Sequence, residues 1–232
     1  MTLCVYSLAS PPGGRIIAIG IGGERLSAIT VGRVAAIAGE LARPPRPSET
    51  ALRGYDRVLR SLSERLPAVI PVRFGTCVAD LDELTMILRA RQETFRSSLR
   101  AVRGRVQMTV RVVPGSGIRD PGSEERSPTA DRGSRVPGPG SHVTGVAYMR
   151  ARATALGRER EIPGFDPVRQ AVRRWVRDER VERRGRVASV YHLVPRGSAQ
   201  AYRRALERSA PATGIRVMVS GPWPPYAFSS PF

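Results

Sequence analysis

The sequence predicts an α+β protein made of two small α/β sandwich units joined by a flexible Gly/Pro/Ser-rich connection. Three observations carry this reading. The chain has 232 residues, room for two small domains that bury cores without metals or disulfides. Strand-like runs alternate with helix-period segments in both halves. Between them, Pro114 to His142 loses all periodicity and is dominated by glycine, proline, serine and charge, a composition that cannot offset its ordering entropy. The units are expected at 1–113 and 143–220, with the connection at 114–142 and a Pro/aromatic tail at 221–232.

In the first unit, Leu3 to Leu8 reads as a strand, followed by a turn at Pro11 to Gly14. A glycine cluster at Gly20, Gly22 and Gly23 precedes two strands, Leu26 to Val31 and Val34 to Ala38, with Gly32-Arg33 as their tight hairpin. Ser48 caps a helix in which Leu52, Tyr55, Leu59, Leu62 and Leu66 recur at three- and four-residue steps until Pro67. Ala68 to Phe74 is a buried strand. Asp80 and Glu83 have capping-box spacing and open one helix, with Leu81, Leu84, Leu88, Phe95, Leu99 and Val102 on a single side, that stops at Gly104. Val106 to Val113 closes the unit as a strand.

In the second unit, Tyr148 and Met149 open an arginine-rich helix. Asp166-Pro167 is a cap and first turn for a helix carrying Val168, Ala171, Val172, Trp175 and Val176. Val187 to Val194 is a strand, Ser198 to Ser209 a helix with Ala201, Tyr202, Ala205 and Leu206 inward, and Ile215 to Val219 a last strand. Interleaved in this way, the elements suit a ferredoxin-like unit.

The formal net charge is +18, and every basic residue is arginine. The absence of lysine reads as coding bias; the excess of cations is physical, attracting polyanions and acidic protein surfaces. Arginine serves protein contacts as readily as phosphate contacts, so no dedicated nucleic-acid site is expected. The alternative is a basic nucleic-acid-binding module using a ferredoxin-like sheet. Such binders carry aromatics on central strands, and Val187 to Val194 offers only Tyr191 and His192.

Catalytic, cofactor-binding and metal-ligating residues are all assigned as none. His142 falls in the connection and His192 in a strand, neither with cysteines or carboxylates at ligand spacing. Cys77 lacks a local base. The glycine cluster lacks the dinucleotide fingerprint and precedes strands, so it reads as a loop fitted to awkward backbone angles. Asp178 and Glu179 read as ion pairs on helix faces. Cys4 and Cys77 are expected as buried free thiols, which points to the cytoplasm. No stretch has a secretory pattern or approaches the roughly 20 apolar residues of a membrane span.

Two motifs stand out. Pro71-Val72-Arg73-Phe74-Gly75-Thr76 ends an apolar strand with a cation that needs a partner, either a structural ion pair or a binding contact. Gly221-Pro222-Trp223-Pro224-Pro225-Tyr226-Ala227-Phe228 combines extended-chain prolines with large aromatics, and either packs on its own domain or anchors a partner. The candidate structural or partner-binding residues are Arg73, Phe74, Gly75, Trp223, Pro224, Pro225 and Tyr226.

With Val5-Tyr6, Gly20 to Gly23, Val31 to Ala36, Arg57-Val58-Leu59, Gly145 with Tyr148, and Tyr191 to Val194, these motifs in this order make the chain resemble the gas vesicle protein F/L family. The chain departs from the family's usual residues at Ser7, Gly54 to Asp56 and Gln107. The resemblance implies a two-domain α+β fold with a ferredoxin-like C-terminal unit. It implies a non-enzymatic, cytoplasmic accessory role in forming the gas-filled, protein-walled organelle that gives cells buoyancy. The implied partners are the hydrophobic shell protein and other accessory proteins, and no catalytic residues or cofactors come with it.

Overall fold

A computed structural model of the chain describes residues 1–113, 162–229 and 232. The connection expected at 114–142, His142 within it and the arginine-rich helix expected from Tyr148 lie outside the described residues.

The first sheet is antiparallel, in the order β2 (Ser27–Val31), β3 (Val34–Leu41), β1 (Thr2–Ala9), β4 (Val69–Pro71), with β5 (Cys77–Val78) pairing the other half of β1. Helix α1 (Glu49–Arg65) covers one face through Tyr55, Leu59 and Leu62, packed with Tyr6, Ala9, Ile37 and Val69. Helices α2 (Leu81–Ala90) and α3 (Gln92–Val102) cover the other through Leu84, Leu88, Phe95, Leu99 and Val102, packed with Val5, Leu8, Val34, Ala36 and Ile70. Burial on both faces explains why β1 reads as a nearly continuous apolar run. The caps match the sequence: Ser48 Oγ accepts from Ala51 N at 3.1 Å, and Asp80 Oδ1 from Glu83 N at 2.9 Å.

Four expectations need correction in this unit. The helix from Leu81 to Val102 is two helices, broken at Arg91, where φ is −116° and ψ 18°. A straight helix of that length would run about 33 Å, beyond the roughly 26 Å of an eight-residue strand; the break keeps both halves on the sheet. Leu52 and Leu81 are exposed. The strand expected over Ala68 to Phe74 is paired only at Val69–Pro71. Cys4 and Cys77 are not free but form a disulfide, their Cα atoms 4.0 Å apart as direct partners across β1 and β5. Register brings them together across 73 residues, and the argument from free thiols to a reducing compartment lapses.

Strand β6 (Arg105–Val113), expected to close the first unit, is instead a central strand of the second sheet, whose order is β7 (Asp178–Arg184), β8 (Val187–Pro195), β6, β9 (Arg216–Trp223), antiparallel throughout. Helices α4 (Asp166–Val172) and α5 (Ala199–Ser209) pack on one face. Among the described elements the sequence β6-α4-β7-β8-α5-β9 with this order is the ferredoxin-like arrangement. Alternation within Val106 to Val113 shows a strand but not its partners, which is why its sheet was misjudged. The crossover is pinned at Gly104, whose φ is +66°: its N–H donates to Pro67 O at 2.8 Å and its carbonyl accepts from Arg196 N at 3.0 Å.

β7 itself was missed, and Asp178 and Glu179 lie on this strand rather than on a helix. Its only apolar residue is Val181, so charge hid the pattern. The turn was legible, since Gly185 and Gly32 both have φ +58° and open two-residue hairpins before an arginine. In the helices, Asp166 is the first residue of α4 rather than its cap, and Ala201 is exposed while Ala199 is buried.

His192 is fully buried and has the carboxylate that its local sequence lacks. Its Nε2 lies 2.8 Å from Glu179 Oε2, its cross-strand partner, and its Nδ1 lies 2.6 Å from the Tyr202 hydroxyl. Arg169 Nε donates to the same Glu179 oxygen at 3.2 Å. Burial alone would raise the Glu179 carboxyl, but the hydrogen bonds and charges of His192 and Arg169 outweigh it and hold the pKa at about 2. A native pKa below the ordinary 4.5 means that the stabilisation is complete above that value and is lost as pH falls through the native one. Urea titrations should show this contribution, on the order of 2–3 kcal/mol, disappearing between about pH 5 and about pH 2. Glu179→Gln should lose it at neutral pH and flatten that acid limb; an unchanged limb would discard the network as its source.

Candidate functional site

Between β4 and β5 the chain turns at Arg73–Thr76. Thr76 N donates to Arg73 O at 3.1 Å, with Gly75 at φ +79°, the backbone that a type II turn requires of its third residue. The turn sits beside Tyr6, where β1 shifts register between Val5 and Ser7. Val72 N donates to Tyr6 O at 3.0 Å and Val5 N to Thr76 O at 2.9 Å. From α1 the Tyr55 hydroxyl reaches two carbonyls at this junction, Tyr6 O at 2.9 Å and Val72 O at 2.5 Å. Phe74 packs edge-on against Tyr55 at 5.4 Å. Arg73 is exposed rather than buried at a strand end, and among the described residues it makes no ion pair.

β9 carries the second motif to the same place. Gly221 has φ +117°, and a Cβ there would lie 2.8 Å from Gln107 O. The Trp223 ring lies under the Arg60 guanidinium at 4.0 Å. Arg60 Nε donates to Asp56 Oδ2 at 2.7 Å, and the Tyr226 hydroxyl donates to Asp56 Oδ1 at 2.7 Å. Burial, then the Asp56 hydrogen bond and charge, push the Tyr226 hydroxyl well above its ordinary pKa. Pro224 and Pro225 are buried. Ala227 N donates to Gln107 Oε1 at 2.7 Å, Arg180 Nη1 donates to Ala227 O at 2.6 Å, and Phe228 is buried in the first core beside Leu193.

The structure thus brings together two motifs about 150 residues apart. Tyr55, Asp56, Arg73, Phe74 and Tyr226 line one cavity of about 670 Å³. Burial raises the Tyr55 and Tyr226 hydroxyls above their ordinary pKa, which keeps both as protonated hydrogen-bond donors. Among the described residues no cluster of His, Cys, Asp and Glu suits a metal, and no helix is long and apolar enough to cross a membrane.

A second feature escaped the sequence reading. β2 is an edge strand with no charged residue, whereas edge strand β7 is almost wholly charged and edge strand β9 contains Pro222. A groove of about 730 Å³ runs between β2 and the segment Arg15–Ile19. On that segment Ile17 is 78% exposed and Ile19 54%. It is held by Leu26 N to Ala18 O at 2.9 Å and Arg65 Nη1 to Ile17 O at 2.6 Å. The adjoining glycines serve space more than angle, since only Gly23 has positive φ. A Cβ on Gly20 would lie 2.0 Å from Glu24 Oε1, which accepts a short hydrogen bond from Tyr6, while Ile21 N donates to that hydroxyl at 2.9 Å. The Ile-Ile-Ala-Ile run beside these glycines was the available signal.

The second sheet's face opposite its helices is partly covered. Leu193 and Tyr191 pack against the first core, Gln107 holds Ala227, and Arg180 lies over Phe228 at 5.3 Å.

A family model described as "Gas vesicle synthesis protein GvpL/GvpF" matches residues 3–230. The curated "Gas vesicle protein F" of Streptomyces sp. (strain CB03234) is 27% identical over 208 residues, covering 85% of this chain and 84% of that protein. The crystal structure of gas vesicle protein GvpF from Anabaena sp. PCC7120 superposes with a TM-score of 0.71 at 13% identity, covering 99% of this chain and 98% of that one. That of GvpF from Microcystis aeruginosa gives 0.70 at 13% identity, covering 99% of each. At such identities the two structures speak for the fold.

Gly221→Ala should destabilise by about 2–4 kcal/mol, because a left-handed backbone and a backbone clash act together. Tyr226→Phe should cost about 1–3 kcal/mol by stranding a charged acceptor. Chemical denaturation reads both, and near-zero values would mean that the tail does not bear on stability.

Proposed function

The chain belongs to the gas vesicle synthesis protein GvpL/GvpF family, which gives it a role in gas vesicle formation, and we propose that it fills this role as a non-catalytic cytoplasmic accessory associated with the vesicles. It binds the hydrophobic shell protein through the open edge of β2 and works alongside other accessory proteins.

The single observation that carries the shell-binding reading is the uncharged β2 edge beside the exposed Ile17 and Ile19. An extended segment adding to that edge would gain main-chain hydrogen bonds, and the groove would take its apolar side chains. Aggregation-prone subunits suit such a surface, since the edge that invites aggregation also captures strands. The tail aromatics are engaged with α1 and the second sheet, which favours the edge over the tail as the capture surface. Phe74, Gly75, Trp223, Pro224, Pro225 and Tyr226 form the brace between the two units, with Arg73 exposed at the rim of their cavity. The partial covering of the second sheet's face, with Leu193 and Tyr191 packed against the first core, weighs against the nucleic-acid alternative, because sheet-binding RNA proteins need that face open.

Tagged protein co-expressed with the shell protein and washed at high salt should retain shell subunits. Ile17→Asp combined with Ile19→Asp should cut recovery about tenfold or more with the melting temperature unchanged, since both side chains are largely exposed. Recovery of nucleic acid alone from the wild type, or of nothing, would end the shell-binding reading.

A further inference from the structure

Where α4 ends, a 3-10 turn at Arg173–Trp175 leads into β7, and Gln170, Ala171, Arg173, Arg174 and Arg177 line a concavity of about 500 Å³. Three guanidinium groups and an amide border it, and no carboxylate does. Two of the three cations are held in place. Arg174 stacks on Trp175 with its guanidinium 4.0 Å from the ring, and Arg177 Nη1 donates to Arg174 O at 3.2 Å. Arg177 N donates to Leu193 O at 2.8 Å, tying the turn to the sheet.

In a chain without lysine, an exposed arginine means little by itself. What distinguishes this turn is that three arginines border one concavity and two of them are held in place. Arg53, Arg60, Arg96 and Arg169 each pair with a carboxylate on their own helix. Arg173, Arg174 and Arg177 pair with none among the described residues. The carbonyls at the end of α4 supply at most about half a unit of negative charge, which leaves most of three positive charges uncompensated.

We propose that this concavity docks an acidic protein segment, its carboxylates paired with Arg173, Arg174 and Arg177. Guanidinium forks match carboxylates bidentately, and the fixed positions of Arg174 and Arg177 reduce the ordering cost of binding. All three cations border the one concavity, so two or three carboxylates on a short peptide can reach them together. A nucleic-acid strand would need a longer cationic track with free stacking faces, and here Trp175 is already covered by Arg174. The partner is thus a protein with a run of Asp or Glu. The contact is separate from the β2 edge in place and chemistry, ionic rather than apolar.

The test uses the purified full chain, a fluorescein-labelled Glu-rich octapeptide and anisotropy at about 0.15 M salt, where the Debye length is about 8 Å. Arg173→Gln, Arg174→Gln and Arg177→Gln together should weaken peptide binding about tenfold or more. A charge-matched control at the exposed Arg43, Arg46 and Arg103 should change it by less than about twofold, because distant charges are screened. Equal losses in the two variants would reduce the effect to net charge and overturn the proposal. So would failure of the wild type to bind, or tighter binding of a single-stranded RNA of equal charge that the concavity variant abolishes. No shell subunit enters the measurement, so its result stands apart from that of the β2 edge.

Discussion

Asp56 is shared between two parts of the chain that otherwise have little reason to meet. One carboxylate oxygen accepts the Tyr226 hydroxyl and the other accepts Arg60, whose guanidinium lies over Trp223. An acceptor with both oxygens engaged in a half-buried place is strongly specified, because losing either donor strands charge. Around it the segment from Pro224 to Phe228 fills the space between α1 and the second sheet, and Phe228 completes a core that includes Leu193 from one unit and Phe95 from the other. The relative placement of the two sheets depends on this wedge, supported at the crossover by Gly104.

That wedge also decides which surfaces remain. Filling the angle between the units covers part of the second sheet's outer face and engages the tail aromatics. Charge protects β7, and proline with glycine interrupts β9. β2 and the turn after α4 are left open, one uncharged and bordered by isoleucines, the other bordered by arginines. The two open surfaces therefore differ in chemistry, one apolar and one cationic.

The buried Glu179–His192–Tyr202 network shows how local sequence can mislead. Nothing within a few residues of His192 suggests a carboxylate, yet antiparallel register puts Glu179 directly across from it. The same register rule joins Cys4 to Cys77 and gives β6 its partners in the second sheet. Similarly, Gly20 and Gly22 look like turn residues, but their lack of side chains makes room for the Glu24 carboxylate and the Tyr6 hydroxyl. For His192, Cys4 and β6 the explanatory atoms lie in another strand, whereas for the glycines Glu24 of their own loop and Tyr6 of β1 share the role.

By itself the sequence determined what depends on neighbours within a turn or two: the caps at Ser48 and Asp80, the apolar stripe of α1, the Gly32-Arg33 hairpin, the α+β class, and the two proline-aromatic motifs that carry the family resemblance. Periodicity and capping are local physics, so a single chain displays them. Only the tertiary structure decided that the helix after Asp80 breaks at Arg91, that Val106 to Val113 belongs to the second sheet, that the two motifs meet at one cavity, and that β2 is an uncharged edge strand beside exposed isoleucines. Those outcomes are set by register, by the span of the sheet beneath a helix and by which faces two packed units cover. They are relations between residues far apart in sequence, and no pattern along the chain encodes them one residue at a time.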